Sequence, residues 1–107
     1  MLRTHPSARA ELRGAADEFA KARTGYGLLF TAAVKAAYER LERMPRMYAI
    51  AEDAPEDVEV REVFLARFKY RVLYLVRPDE LLIVAVAYAG RRPGYWHDRL
   101  STPGDYP

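Results

Sequence analysis

The chain has 107 residues, half of them hydrophobic and 30% charged, with a formal net charge of +2. That is the size and apolar content of one globular domain rather than two or of a disordered tether. With a mean hydropathy of −0.29, no stretch stays apolar for the ~18 to 20 residues a membrane span needs, and the absence of Cys removes disulfides, zinc-finger ligation and thiol catalysis.

From the N-terminus, the stretch from Met1 to Leu12 has no apolar core or cleavage pattern of a secretory signal, so the expected location is the cytoplasm, away from any membrane. Ser7 is a candidate N-cap for a helix from Ala8 to Arg23, since a Ser hydroxyl can accept from the free amides of a first turn. Leu12, Ala15, Ala16 and Phe19 recur at helical spacing and form one apolar stripe, with Glu11, Arg13, Asp17, Glu18 and Lys21 mostly outside it. Gly25 and Gly27 break that pattern. A second periodic run follows from Leu28 to Met44, with Phe30, Ala33, Val34, Ala37, Leu41 and Met44 on one face, and Pro45 stops it.

Past Pro45 the period shortens to two and β-branched and aromatic residues take over. Arg46 to Ala51 reads as a short strand, and the acidic stretch from Glu52 to Asp57 as a solvated loop. Val58 to Arg67 and Lys69 to Arg77 read as strands joined by a turn. In the second of these, Tyr70, Val72, Tyr74 and Val76 face one way, and Lys69, Arg71, Leu73 and Leu75 the other. Pro78-Asp79-Glu80 is a turn, and Leu81 to Ala87 is apolar on both faces, as a central covered strand is. The expected fold is α+β: an N-terminal helical hairpin packed on a three- to four-stranded antiparallel β-sheet over residues 1–99, followed by a loose tail over residues 100–107.

Charge is unevenly spread. Glu52, Asp53, Glu56, Asp57, Glu59 and Glu62 crowd one segment with only Arg61 among them. From Arg67 to Arg77 the sign reverses through Arg67, Lys69, Arg71 and Arg77, and Arg91, Arg92 and Arg99 follow. Such a basic C-terminal half suits a phosphate or an acidic partner. Arg91 and Arg92 stand close to Tyr95 and Trp96, a pairing that suits phosphate or base contact as well as an ordinary loop. Arg71 on its alternating strand serves equally as a functional cation or as a partner for the acidic segment. Trp96 is read as an anchor packed on the sheet, and His97 as a surface residue. His5 and His97 are too isolated to build a metal site by themselves; no metal or cofactor is expected.

Several blocks together resemble the RelE/ParE toxin superfamily of bacterial type II toxin–antitoxin systems, from about Pro6 to Arg99. They are Ala10-Glu11-Leu12 on the first helix, the turn from Gly25 to Phe30, the Met44-Pro45 stop, the strand block from Val60-Arg61 through Arg67 to Tyr74, and the closing run from Ala85 to Trp96 ending at Arg99. The resemblance implies a small toxin held inactive by a cognate antitoxin, whose C-terminal segment would fold on binding across helices and sheet. When freed, the toxin would arrest growth in one of two ways. RelE-like members enter the ribosome and cut mRNA; ParE-like members poison DNA gyrase. A third reading is a degenerate, non-toxic relative that keeps only the antitoxin contact.

Metal-free RNA cleavage needs a proton acceptor for the 2′-hydroxyl, cations for the phosphorane and a donor for the leaving oxygen. By resemblance the catalytic candidates are Arg71, Arg92, Tyr88 and Tyr95, and the RNA- or target-binding candidates are Arg67, Lys69, Arg91 and Arg99. The Arg residues stay protonated and can stabilise charge but not act as bases; a Tyr serves as a base only if nearby Arg charges lower its pKa from about 10. The chain departs from the nuclease pattern at two places, with Tyr88 where related chains often carry His and Glu62 where a cation is expected.

Overall fold

The computed structural model describes residues 1–100. Strand β1 (Leu2–Thr4) leads into helices α1 (Pro6–Ala22) and α2 (Tyr26–Arg43), followed by strands β2 (Val60–Leu65), β3 (Tyr70–Val76) and β4 (Leu81–Tyr88) and a 3-10 turn (His97–Leu100). The sheet order is β1-β4-β3-β2. β2, β3 and β4 form the expected antiparallel meander. The fourth strand is not the segment from Arg46 to Ala51, which contributes one isolated bridge, Ile50 to Arg61. It is the N-terminal β1, and it runs parallel to β4, Leu2 opposite Leu81 and Thr4 opposite Ile83. Three residues carry too little period to signal a strand; what makes them one is the apolar edge of β4, reachable only after the chain has folded. Of the tail expected over 100–107, Leu100 closes the 3-10 turn and the remainder lies outside the described residues.

Helix α1 starts two residues earlier than a Ser7 cap implies. His5 is its N-cap, its Nδ1 accepting from the Ser7 amide at 3.0 Å, with Pro6 as the first helical residue. Proline suits that position because its missing N–H would have had no helical partner. At the other end Gly25, with φ of +81°, reverses the chain into α2. Gly27 serves contact rather than turning: a Cβ there would stand 2.4 Å from the Ala16 carbonyl oxygen of α1. Gly27→Ala should therefore force the helices apart and cost about 1–3 kcal/mol. Gly14→Ala, which meets nothing within 4 Å in the middle of α1, should stabilise by up to ~1 kcal/mol. Urea unfolding of both variants checks the opposite signs.

The hairpin lays Ala8, Ala15, Phe30, Val34, Ala37 and Leu41 on one face of the sheet, against Val63, Val72, Tyr74, Ile83 and Val86. Phe19, Phe30, Phe68 and Tyr70 close its open end edge to face. The other face is also covered. Ala51, Val60, Leu73, Leu75, Leu82, Val84, Ala85 and Trp96 make a second cluster, with Ala54, Val58, Tyr95 and Leu100 against it. β4 supplies both clusters by alternation, and Leu73 pairs with Ala85 while Tyr74 pairs with Ile83, leaving Val84 as an extra, bulged residue. Val84 and Ala85 thus share a face that strict alternation would split. The loop before β2 and the segment after β4 form this second layer, and between them they leave one part of the sheet face open.

Candidate functional site

That opening is a groove of about 800 Å³, lined by Ile50, Glu52, Asp53, Glu62, Phe64, Arg71, Ala89, Arg91 and Pro93 among others. Arg71 comes from β3, directly opposite Phe64 of β2. Its guanidinium is not free. It holds Asp53 through both nitrogens, at 2.6 and 3.2 Å, and Glu62 at 3.0 Å, with the Arg71 and Asp53 side chains only 12% and 10% exposed. Asp53 Oδ2 also accepts from the Gly94 amide at 2.9 Å and the Trp96 indole at 3.1 Å. His97 Nε2 contacts the Asp53 carbonyl oxygen. Burial alone would raise the Asp53 pKa, but the bonds from Arg71, Gly94 and Trp96 outweigh it and hold the carboxyl well below its ordinary range. The same pair pushes Arg71 further up, with Asp53 the largest cause. A residue of the stretch read as a solvated loop is thus the anchor of the C-terminal segment.

Glu11 forms a second knot, at the end of β4 that β1 does not reach. After the His5 amide bonds the Ile83 carbonyl at 2.9 Å, the edge of β4 is met by side chains instead of a strand. Arg99 Nη1 donates to the Val84 carbonyl at 2.8 Å and the Val86 amide donates to Glu11 at 3.0 Å. Arg99 clasps the same carboxylate through two nitrogens, at 2.9 and 2.8 Å. Tyr95 donates its hydroxyl proton to Glu11 at 2.7 Å. Burial, and then the Glu11 carboxylate, raise the Tyr95 pKa well above its usual value. Glu11 itself is lowered: desolvation works against it, and the bonds from Arg99, Tyr95 and Val86 prevail.

The sequence candidates do not converge on one place. Arg91, Tyr95 and Arg99 come together around Glu11, with Arg91 stacked 3.8 Å above the Tyr95 ring and 3.9 Å from the Glu11 carboxylate. Arg71 sits in the groove that Arg91 also lines, and Arg92 is exposed on the turn beyond β4. Tyr88 does not join them: it leans on Tyr70 with ring centroids 6.1 Å apart, on the helix side of the sheet, whereas Arg71 opens on the other. Lys69, with φ of 61°, forms the β2–β3 turn, and Arg67 beside it lies over Tyr26 and Phe68. The residues that organise the region, Asp53 and Glu11, have no signal in the sequence because their partners lie 18 to 88 positions away. Among the described residues no group of three His, Asp or Glu side chains could hold a metal ion, and no helix is long and apolar enough to cross a membrane.

Residues 2–93 match the family model described as ParE toxin of type II toxin-antitoxin system, parDE. No curated protein matches the sequence significantly. Among solved structures the fold is similar to a chain of the "Chromosomal ParDE TA system from P. aeruginosa", with a TM-score of 0.59 and 18% identity, covering 81% of this chain and 92% of that one. Two helices packed on a four-stranded sheet, over a sequence match spanning most of the chain, place it in the ParE toxin family of type II toxin–antitoxin systems.

Proposed function

We propose that this toxin, when free of a cognate antitoxin in the cytoplasm, arrests growth by binding DNA gyrase rather than by cutting RNA. The observation that carries this reading is the Arg71 guanidinium, held by two carboxylates in the groove. A cation neutralised twice gives little stabilisation to a developing phosphorane charge, and the nearby acids repel the phosphate that would carry it. The described histidines and Tyr95 are also poorly placed to act as a general base. Tyr95 has its proton committed to Glu11 and its pKa raised, His5 caps α1, and His97 is engaged by the Asp53 carbonyl. Gyrase is the target that resemblance to ParE implies for a toxin without nuclease chemistry, and the exposed Arg92 is its first contact.

The test sets two purified systems side by side. Added to gyrase, the protein should inhibit supercoiling and accumulate cleaved DNA complexes; added to ribosomes translating a defined transcript, it should leave primer-extension products intact. Arg92→Ala should weaken the gyrase effect at least tenfold, while an exposed change of this kind moves fold stability by less than about 0.5 kcal/mol. Discrete transcript breaks at A-site codons would overturn the proposal.

A further inference from the structure

The two ends of the sheet carry opposite charge. Where β2 and β4 begin and β3 ends, the loop before β2 supplies Glu56, Asp57 and Glu59, and the β3–β4 turn supplies Asp79 and Glu80. The cations beside them are paired: Arg46 and Arg61 hold Glu59 at 2.9 and 2.8 Å, and Arg3 and Arg77 hold Glu80 at 3.4 and 2.8 Å. At the other end three turns meet. Phe19 at the close of α1 packs edge to face on Phe68, which brings the α1–α2 turn against the β2–β3 turn. The Ala89 amide donates to the Lys69 carbonyl at 2.8 Å, which ties in the turn after β4. These turns present Arg23, Arg67, Lys69, Arg91 and Arg92, all exposed. No described carboxylate pairs with Arg23, Arg67, Lys69 or Arg92. Of the acids in the second half of α1, Lys21 holds Glu18 at 3.3 Å, and Asp17 is the other.

Aromatic rings, not acids, position the guanidiniums here. Arg23 and Arg67 both lie over Tyr26, at 5.6 and 5.5 Å from its centre, and Arg67 lies 5.7 Å over Phe68. A ring orients a guanidinium through its π face and leaves the N–H donors unspent for an anion. Lys69 stands at φ of 61°, a left-handed position that glycine fills without strain; strain accepted at a lysine points to a use for its charge. Cations spread over three adjoining turns, with open donors and almost no acid between them, match the repeating phosphates of a nucleic-acid backbone. Single strands are held by bases stacked on open rings. Here Tyr26 is half-buried under both guanidiniums and Phe68 is buried, so the guanidiniums meet phosphate. We infer that this basic end binds the phosphate backbone of duplex DNA without regard to sequence, on the DNA that gyrase holds. Where that DNA lies rests on the gyrase reading, and Arg92, in the turn tied to Lys69, makes the two contacts continuous.

The probe is a labelled DNA duplex of mixed sequence, titrated with the full chain and followed by fluorescence anisotropy. With Arg23, Arg67 and Lys69 each meeting one phosphate, the logarithm of affinity should fall against that of salt with a slope of about −2.7. Lys69→Gly removes one of these charges while relieving the left-handed backbone. It should melt no lower than the unaltered protein, bind the duplex about fivefold more weakly at low salt and show a slope of about −1.8. Arg43→Ala removes an exposed charge at the far end of α2 and should leave binding within twofold. With gyrase and plasmid, Lys69→Gly should need about fivefold more toxin for half-inhibition of supercoiling, a gap that closes as salt rises. Absent or salt-independent duplex binding, equal effects of Lys69→Gly and Arg43→Ala, or tighter binding to single-stranded RNA than to the duplex overturns the inference; inhibition of gyrase by the unaltered toxin then still supports the gyrase reading. Duplex binding without any effect on gyrase overturns the gyrase reading and the placement of the DNA with it, while the DNA-binding surface stands.

Discussion

Asp53→Ala should destabilise the protein by about 3 kcal/mol, the cost of removing one partner from a largely buried ion pair. The loss is held to that level because Arg71 keeps Glu62 at 3.0 Å. It is not smaller, because the Gly94 amide and the Trp96 indole lose their acceptor at the same time. For a chain of this length the melting temperature should fall by roughly 10 °C or more. The pH dependence follows from the direction of the Asp53 shift. Its folded pKa lies below the unfolded value of about 3.9, so its stabilisation is present above that value and is lost as pH falls through the folded one. Urea midpoints of the unaltered protein should therefore decline only gently from pH 7 to about 5, where His5, held below its ordinary pKa by burial, opposes protonation, and drop steeply below about pH 4. In Asp53→Ala the drop should be shallower but not absent, because Glu11 and Glu59 are shifted in the same direction. An unchanged melting temperature, or an acid limb as steep as before, would show that Asp53 does not anchor the C-terminal segment.

Glu11→Ala should cost a similar amount, about 3 kcal/mol, and should act at a different place. Its carboxylate receives Arg99 twice, the Tyr95 hydroxyl and the Val86 amide. Removing it leaves the Val86 N–H without a partner beside a covered sheet, while Arg99 keeps the Val84 carbonyl. The signature is local: Val86 and residues 94 to 100 should exchange their amides faster, with β2 and β3 much less affected. The Tyr95 pKa should fall toward its ordinary value once the neighbouring carboxylate is gone, measurable by ultraviolet titration. Glu11→Gln should fall between the two proteins, since an amide oxygen still accepts from Arg99 but brings no charge. A variant whose C-terminal segment exchanges no faster would mean that Trp96 packing, not the Glu11 knot, holds that segment.

Both helices, the meander and the antiparallel pairing of β2, β3 and β4 are legible in the sequence because each rests on a local period. Phe30, Val34, Ala37 and Leu41 repeat at helical spacing and are buried together; Val72 and Tyr74 alternate with Leu73 and Leu75 and lie on opposite faces. Trp96, whose size suits an anchor on the sheet, is fully buried, and Arg71, which by sequence suits either a functional role or an acidic partner, has two such partners. β1 is different, because three residues hold no period and become a strand only against the finished edge of β4. The bulge at Val84 is invisible for a related reason: a run apolar on both faces reads the same with or without one extra residue.

The fold class, the family and the crowding of acid before β2 against base after it are all legible without coordinates, since all three are properties of local pattern and order along the chain. Which of those charges remain available depends on contacts made in the folded chain. Asp53 and Glu62 close on Arg71, and Glu11 closes on Arg99 and Tyr95, across separations over which a charge carries no address in sequence. An ion pair depends on a few ångströms of space and on how much water is excluded from it, and both are set when the loop before β2 and the segment after β4 fold over the sheet.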